Sequence, residues 1–531
     1  MKKLILALLL SPFLWAQTTI SWQQLTSTGN PDTWPRWVAQ AYPKYDPTAG
    51  RALVYMTYPG AATTIYATDL YSWNPANNAF SLIGGLASQG KAVGYLCQAD
   101  YGAEWPGERH PDGQWVVDTT RNAVWYWGAL NQACHRNADT TAGDQTVTLS
   151  GDIYTGTGPS GLAGANINIA GVDYTIASVT NSRELELTTP AAESLTGALA
   201  FIDYESSYGR RAMWRQNLAT NTWTLIGYSG IPSGSPVFTY PANYHYNNGS
   251  AVYSPPDDLV VVYRSNGDTS AIFTFDPDTY AWDEPVLSAG TVNTQNTGTG
   301  GCAGNCVTRQ AGTSFVTDGS WDGKFIILHN GGTRVKYAIA SVQSGDVLTL
   351  VEAPGSKTGW DYGLRPTART FTAMVYDASR QKVFLYGGQA NPGATWTNEL
   401  WSYDVPAHRF DLLCKSGCTP PPTYAAGQYG YPAFGRISTG KYLLHDDTSA
   451  SSPGTYLYDP DTDQWSTLQT GSGPANVTIE GSAVMAGDKM LWIGHDPGGY
   501  SEVWVGNVSG TPAASHRMRG GARLTGAGTV R

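Results

Sequence analysis

The sequence predicts an all-β protein built from repeated four-stranded sheets, and three observations support this prediction. The 531 residues include 61 Gly, 31 Pro, 32 Tyr and 19 Trp but only 14% charged residues, a composition that favours strands and tight turns over helices. Short runs of alternating apolar and polar residues, bounded by Asp, Gly or Pro, recur along the chain. These runs follow one another in a repeating order. The 41% apolar content can bury a large core, which excludes a disordered chain.

The beginning of the chain is typical of a secretory signal peptide. Lys2 and Lys3 precede an apolar run at residues 4–14, and the small residue Ala16 lies at the expected cleavage point. A membrane anchor is the alternative, but it needs about 20 apolar residues. We therefore predict a signal peptide at 1–16 and a protein that is secreted, periplasmic or held at the cell surface, with no membrane span.

The clearest repeat lies at residues 371–413, where FTAMVYDASRQKVFLYGG is followed by NELWSYDVPAHRFDLL. It predicts four short strands joined by tight turns. The first half of this pattern occurs seven times in all, with variations. The predicted four-stranded units are 36–84, 109–227, 245–285, 309–352, 369–413, 429–469 and 477–508.

Two features depart from simple repetition. The seventh unit has only three strand candidates, and the isolated segment Ile20 to Leu25 resembles the outer strands of other units, so we expect it to complete the seventh unit and remove an exposed edge. The second unit is interrupted at 137–203 by a separate small β module with five short strands. Residues 510–531 are basic and Gly-rich, and we expect a flexible tail.

The repeat resembles the kelch repeat of secreted bacterial kelch proteins and of the central domain of galactose-oxidase-like proteins. The resemblance rests on the double glycine Gly387-Gly388, the pair Tyr403-Asp404 and the aromatic residue that follows, Phe410 here. It implies a seven-bladed β-propeller formed by residues 17–136 and 204–509. The copper site of galactose oxidase does not transfer, because no cross-linked Tyr and Cys or separate ligand-bearing domain can be identified. We expect no cofactor and no bound metal.

The six cysteines predict disulfides, since thiols usually pair in an oxidising compartment. Spacing favours Cys302 with Cys306 and Cys414 with Cys418, which leaves Cys97 to pair with Cys134. A zinc site formed by the four cysteines of the two CxxxC segments is the alternative.

Long connections predict the functional face. In such a unit the short turns between the first and second strands lie at one end, and the connections from the second to the third strand and between units lie at the other. The connections at 86–108, 286–308, 354–368 and 415–428, together with the inserted module, belong to that second end, and elaborated loops on a rigid scaffold commonly bind ligands.

Five basic or potentially basic residues precede the ends of the expected inner strands by eight to ten positions: Arg36, Arg109, His245, Arg309 and Arg369. Gathered at the mouth of a channel, they would bind carboxylate or sulfate by paired, charge-assisted hydrogen bonds. In the structural alternative they bond to backbone carbonyls and acidic neighbours. Aromatic side chains near unit entries could stack on sugar rings: Trp34, Trp105, Trp360 and Tyr362.

The predicted function is binding of an extracellular ligand, a glycan or another anion, by a monomer. The alternative is a glycan-active lyase or hydrolase, whose acid or base would come from Asp100, Glu104, Glu108 or Asp361. His329, His445 and His495 lie near the ends of second strands. They could bind a divalent metal ion, or they could simply be polar residues at exposed strand ends. The net charge of −10 without a basic cluster argues against a nucleic-acid partner.

Overall fold

The computed structural model describes an all-β chain, and its described residues contain no helix, hence none that could cross a membrane. The described residues are 18–25, 39–57, 69–84, 115–127, 134–150, 163–164, 166–170, 172–203, 213–227, 250–266, 269–283, 285–287, 289–295, 305–330, 333–366, 369–370, 372–390, 395–414, 418–421, 433–446, 453–470, 473–474, 482–495 and 501–509. The predicted signal peptide and the predicted tail lie outside them.

The first half of the chain forms three four-stranded antiparallel sheets and one barrel. After β1 (Thr19–Gln24), sheet 1 contains β2 (Ala39–Asp46), β3 (Arg51–Thr57), β4 (Asp69–Asn74) and β5 (Ala79–Gly84). Sheet 2 begins with β6 (Trp115–Asp118) and β7 (Ala123–Trp127). Barrel A then interrupts it with β8 (Cys134–Thr140), β9 (Thr146–Leu149), β10 (Asn166–Ile169), β11 (Val172–Asn181), β12 (Glu184–Leu187) and β13 (Leu195–Asp203). Sheet 2 is completed by β14 (Met213–Asn217) and β15 (Thr222–Gly227). Sheet 3 contains β16 (Ser250–Ser254), β17 (Leu259–Asn266), β18 (Thr269–Asp276) and β19 (Ala281–Asp283).

The second half begins with barrel B and continues with three more four-stranded sheets. Barrel B contains β20 (Gly290–Gln295), β21 (Cys306–Gly312), β22 (Phe325–Asn330), β23 (Thr333–Ser344), β24 (Val347–Leu350) and β25 (Lys357–Arg365). Sheet 4 is formed by β27 (Ala373–Asp377), β28 (Lys382–Tyr386), β31 (Leu400–Asp404) and β32 (Arg409–Leu413), beside the short strands β26 (Arg369–Thr370), β29 (Gln389–Ala390) and β30 (Thr395–Trp396). Sheet 5 is formed by β33 (Ala433–Arg436), β34 (Tyr442–Asp446), β35 (Gly454–Asp459) and β36 (Gln464–Thr470). Sheet 6 contains β37 (Ser482–Ala486), β38 (Lys489–His495) and β39 (Ser501–Ser509).

Strand β1 completes sheet 6, as the sequence predicts. It pairs antiparallel with β39 from Thr19 opposite Ser509 to Gln24 opposite Trp504. The side chain of Ile20 is buried in the core between sheets 5 and 6. The two ends of the chain are therefore joined in one sheet, and the outer edge of β39 is covered.

The first strands of the six sheets contact one another in a closed cycle. Strand β2 contacts β6, β6 contacts β16, β16 contacts β27, β27 contacts β33, β33 contacts β37, and β37 contacts β2. The sheets therefore surround a common axis. We call the end of this ring that carries the turns 47–50, 119–122, 255–258 and 378–381 the turn face, and the opposite end the loop face.

The count of sheets differs from the expected seven. The predicted fourth unit, residues 309–352, is not a four-stranded sheet, because its strands belong to barrel B, which spans β20 to β25. Alternation of apolar and polar residues marks a strand with one buried face, but it does not say which partner that strand pairs with. The other six predicted units coincide with the six four-stranded sheets of the described chain.

The two barrels have the same topology. In chain order, the first strand of each barrel pairs with the second and sixth, the second with the fifth, and the fourth with the third and fifth. Their registers also correspond: Ile176 faces Leu187 in barrel A and Ile339 faces Leu350 in barrel B, with a register shift directly after each isoleucine. The fourth strands carry nearly the same letters, YTIASV in β11 and YAIASV in β23. Barrel A has six strands where the sequence predicted a module of five.

Barrel cores differ in how they join the ring. The core of barrel A contains only its own residues, among them Val147, Ile176 and Leu187. The core of barrel B is continuous with those of sheets 3 and 4, through residues such as Tyr263 and Phe410. Barrel A is therefore a self-contained unit, whereas barrel B is part of the ring's own core.

Candidate functional site

Both barrels are inserted at the loop face. Barrel A lies between β7 and β14, the second and third strands of sheet 2, and barrel B lies between β19 and the first strand of sheet 4. Because neighbouring strands run antiparallel, β7 and β19 both end opposite the turn face. The elaboration that the sequence predicts for one face is therefore concentrated there.

The turn face is held by buried carboxylates at the ends of first strands. Asp118 accepts hydrogen bonds from the backbone N–H groups of Thr120 (3.0 Å) and Arg121 (2.9 Å) and from Trp125 Nε1 (2.9 Å). Arg121 also donates to Asp258 of sheet 3 at 2.7 Å, so the turn of one sheet is tied to the next.

The same arrangement joins sheets 4 and 5. Asp377 accepts from Ser379, Arg380 and the Tyr442 hydroxyl, and Arg380 donates to Asp461 of sheet 5 at 2.5 Å. Burial would raise the pKa of Asp377, but these hydrogen bonds and the nearby Arg436 lower it to about 2. The turn face is thus a rim at which ion pairs join neighbouring sheets.

A cavity of about 450 Å³ occupies the axis of the ring. All six first strands contribute to its wall, and it reaches the turn face through residues of the first turns: Pro47, Thr119, Pro255, Ala378, Ser438 and Gly487. Most of the wall is apolar, with Val116, Val252, Val375, Phe434 and Met485 as examples. A volume of this size falls within the range of small-molecule sites, about 300–1,000 Å³.

Lys44 places an ammonium group in this cavity. Its Nζ donates to the carbonyl of Ala251 at 3.1 Å, so the side chain reaches from sheet 1 to sheet 3. Burial lowers the pKa of Lys44 to about 8. Two residues before the last residue of the other five first strands lie Val116, Val252, Val375, Phe434 and Val484, so Lys44 replaces an apolar residue.

Carboxylates are absent from the described wall of the cavity. Its only other cationic side chain there is Arg436, whose Nε lies 3.1 Å from Asp377. Lys44 has no ion pair with any acidic residue in the described part of the chain. The cavity therefore carries a positive charge without a matching carboxylate.

The predicted basic residues that the structure describes make internal contacts. Arg309 lies on β21 of barrel B, not on an inner strand, and donates to Asp346 (Nε to Oδ1, 2.9 Å) and to the Gly312 carbonyl (2.9 Å). Arg369 is buried on β26, donates to the Gly387 carbonyl at 3.1 Å and pairs with Glu399. Bonds to backbone carbonyls and acidic neighbours are the contacts expected if these two residues have a structural role.

Glu399 is the acidic partner of two cations. It pairs with Arg369 and with Lys324, and its carboxylate also accepts from Trp401 Nε1 at 2.9 Å. Burial would raise the pKa of Glu399, but the charges of Arg369 and Lys324 lower it to about 2. This network joins barrel B to sheet 4.

The predicted aromatic residues of the described chain also lie in barrel B. Tyr362 is fully buried, and its hydroxyl donates to the carbonyl of Thr313. Trp360 is half-buried, with Lys357 Nζ 4.5 Å from its ring centroid. The remaining predicted ligand-binding residues lie outside the described residues: Arg36, Arg109, His245, Trp34 and Trp105.

Two of the three histidines considered as metal ligands have described side chains. His445 is buried, with Nδ1 3.0 Å from Thr455 Oγ1 and Nε2 2.8 Å from the Pro474 carbonyl, so both ring nitrogens are engaged. His329 contacts the Leu287 carbonyl at 2.7 Å, and its Nδ1 lies 3.8 Å from Asp361. Nowhere in the described ranges do three or more potential ligands cluster.

The predicted disulfide between Cys414 and Cys418 is confirmed. Cys306 is also disulfide-bonded, and its predicted partner Cys302 lies outside the described residues. No cysteine with a described side chain is free. The predicted pair of Cys97 with Cys134 stays a prediction, as do the roles of Asp100, Glu104 and Glu108, all three outside the described residues.

Comparisons with known proteins do not assign a family. No family model matches the chain, and neither does any curated protein. Among solved structures, the chain is similar to a luciferin-regenerating enzyme at 7% identity, covering 93% of this chain and 98% of that one with a TM-score of 0.34. It is similar to U3-55K at 7% identity, covering 92% and 98%, with a TM-score of 0.32. The assignment of function therefore depends on the site itself.

Proposed function

We propose that the protein is a secreted kelch-type β-propeller that binds an extracellular glycan or other anionic ligand at its loop face. The six four-stranded sheets would be the blades, and β1 would close the ring. The Gly387-Gly388 and Tyr403-Asp404 pairs support kinship with kelch repeats. The disulfide chemistry of Cys306, Cys414 and Cys418 is compatible with export.

The insertion of two barrels of one topology at the loop face carries this proposal. A rigid ring tolerates insertions at either end, yet the turns of the turn face are short while both barrels occupy the opposite end. Loops and modules elaborated on one side of a scaffold are where binding usually occurs. Arg36, Arg109 and His245 precede first strands, whose starting ends lie at the same face, and these residues are our candidates for anion contacts.

A glycan array is the direct test, with the mature chain and three variants applied side by side. Arg36→Ala combined with Arg109→Ala removes two proposed anion contacts. Replacement of residues 134–203 by a short linker removes barrel A. Arg51→Ala is the matched control, because Arg51 pairs with Asp46 at the turn face.

We expect the mature chain and Arg51→Ala to bind the same acidic glycans, and the double variant to lose at least tenfold in affinity. Equal binding by the double variant and the control would remove the anion site from the loop face. Mass spectrometry of each bound glycan tests the enzyme alternative. Cleavage of the glycan would show that the protein is a lyase or hydrolase and not only a binding protein.

A further inference from the structure

The axial cavity presents a chemical problem that the loop-face proposal does not address. A cation withdrawn from water is normally paired with an anion, because burial without a partner is costly. Lys44 projects its ammonium into a mainly apolar cavity and makes one hydrogen bond, to a neutral carbonyl. No Asp or Glu lines the described wall.

We propose that the axial cavity binds a small organic anion, a carboxylate carried on an apolar body, with Lys44 as its counterion. This proposal does not depend on the loop-face site. The cavity extends along the first strands as far as the first turns at the turn face.

Three features define the class of ligand. The ammonium of Lys44 is a compact donor of positive charge that suits a carboxylate oxygen. The wall is mainly apolar, with Val116, Val252, Val375, Phe434 and Met485 as examples, and this favours an apolar body over the many hydroxyl groups of a sugar. The volume of about 450 Å³ accommodates an apolar body well beyond the carboxylate itself.

The second cation of the wall, Arg436, is already paired with a carboxylate, so Lys44 is the group that would bind an incoming anion. Arg436 lies 3.1 Å from Asp377 and donates to Ser379 at 3.1 Å, so its charge is balanced within the rim. An incoming carboxylate would pair with Lys44 in the same way that Asp377 pairs with Arg436. The bound anion would also favour the protonated form of Lys44 and oppose the lowering of its pKa by burial.

Calorimetric titration of the mature protein with octanoate tests the proposal, with acetate and 1-octanol as matched probes. Acetate supplies the charge without the apolar body, and 1-octanol supplies the body without the charge. We expect octanoate to bind at least tenfold more tightly than either probe. Its affinity should fall as the pH rises above about 8, because the ammonium group of Lys44 in the ligand-free protein then loses its proton.

Variants locate the site. Lys44→Met should reduce octanoate affinity at least tenfold, Lys44→Arg should retain binding, and Lys357→Met, in barrel B, should change nothing. If Lys44→Met fails to fold, the comparison of octanoate with acetate and 1-octanol, and the pH dependence of octanoate binding to the unaltered protein, still test the proposal. Absence of octanoate binding, or equal binding of 1-octanol, would overturn the proposal and leave Lys44 as a tie between sheets 1 and 3.

Discussion

Left-handed residues end the tight turns of this protein. In the turns 47–50, 75–78, 119–122, 218–221, 255–258, 277–280, 378–381, 405–408 and 460–463, the last residue has φ between +47° and +62°. Asn, Asp and Gly tolerate this conformation, whereas most other residues are strained by it. Gln381, with φ of +53°, is exposed and is such a strained position.

Gln381→Gly should therefore stabilise the protein by roughly 0.5–1 kcal/mol, because glycine adopts positive φ without a steric penalty. Gln381→Ala is the matched control: it removes the same side chain but keeps the strain, so it should not stabilise. Chemical unfolding of the three proteins measures this. Equal stability of the Gly and Ala variants would contradict the assigned turn conformation.

His445 makes folding depend on pH. Its Nε2 must donate to the Pro474 carbonyl, since a carbonyl only accepts. Burial favours the neutral ring, in which Nδ1 accepts from the Thr455 hydroxyl. Burial lowers the pKa of His445 from 6.5 to about 4, although the bond to Pro474 acts in the opposite direction. The unfolded chain therefore binds the proton more readily than the folded one.

The stabilisation by neutral His445 should be complete above pH 6.5 and disappear as the pH falls towards about 4. His445→Gln keeps a donor and an acceptor but does not titrate, so its free energy of unfolding should fall less steeply over this range, by up to about 1.4 kcal/mol per pH unit. Urea titrations at pH 7, 6, 5 and 4.5 test this. Parallel curves for the two proteins would show that His445 does not titrate as proposed.

Residue patterns predicted where three of the first strands end, but they did not predict the axial cavity. Asp46, Asp118 and Asp377 do end first strands, as the spacing of the repeats indicated. The same spacing predicted that Arg309 lies at the mouth of the channel, yet Arg309 belongs to barrel B. Lys44 was not among the predicted site residues, although the other five first strands carry an apolar residue at the aligned position. Its importance comes from the cavity, and the cavity exists only once six strands meet.

At the scale of elements, the two barrels differ in independence despite their common topology. Barrel A keeps its buried residues to itself, and barrel B shares a core with sheets 3 and 4. The outer strand β32 of sheet 4 also contacts β25. Removal of barrel B would expose Tyr263 and Phe410, whereas the described core of barrel A contains no residue of the ring.

Residues 134–203 expressed alone should fold cooperatively, and the ring without them should melt within a few degrees of the intact protein. Replacement of residues 290–365 by a linker is the matched comparison, and it should prevent folding or lower the melting temperature severely, because sheets 3 and 4 lose their apolar cover. Circular dichroism with thermal melts measures both. An unfolded barrel A fragment, or a stable ring without barrel B, would refute this division.

Sequence patterns predicted the four-stranded sheets better than the second barrel. Apart from the insertion in sheet 2 and the addition of β1 to sheet 6, each sheet is a local meander, so its strands follow from consecutive alternation and turn residues. In barrel B, β20 pairs with β25 and β21 with β24, pairings between distant segments that no local pattern specifies. The shared letters of β11 and β23 are the signal that could have identified barrel B as a second copy of barrel A.

For the whole molecule, the premise of both proposed sites is a cycle of six sheets in which β1 completes sheet 6. The cavity needs six first strands around one axis, and the loop face needs a scaffold with two defined ends. Gly473, with φ of +107°, lets the chain after sheet 5 pass Trp22 of β1, because a Cβ there would lie 2.8 Å from Trp22 Nε1. Strand β1 is thus held against sheet 5 as well as sheet 6.

A cross-link between the two ends of the chain tests this premise most directly. Thr19 Oγ1 and Ser509 Oγ lie 2.8 Å apart, so Thr19→Cys with Ser509→Cys should form a disulfide on oxidation. Ser21→Cys with Ser509→Cys is the control, since Ser21 pairs with Asn507. Peptide mapping should recover a linked peptide containing positions 19 and 509 from the first variant only. Free thiols at both positions, or equal cross-linking in the control, would contradict a sixth sheet completed by β1.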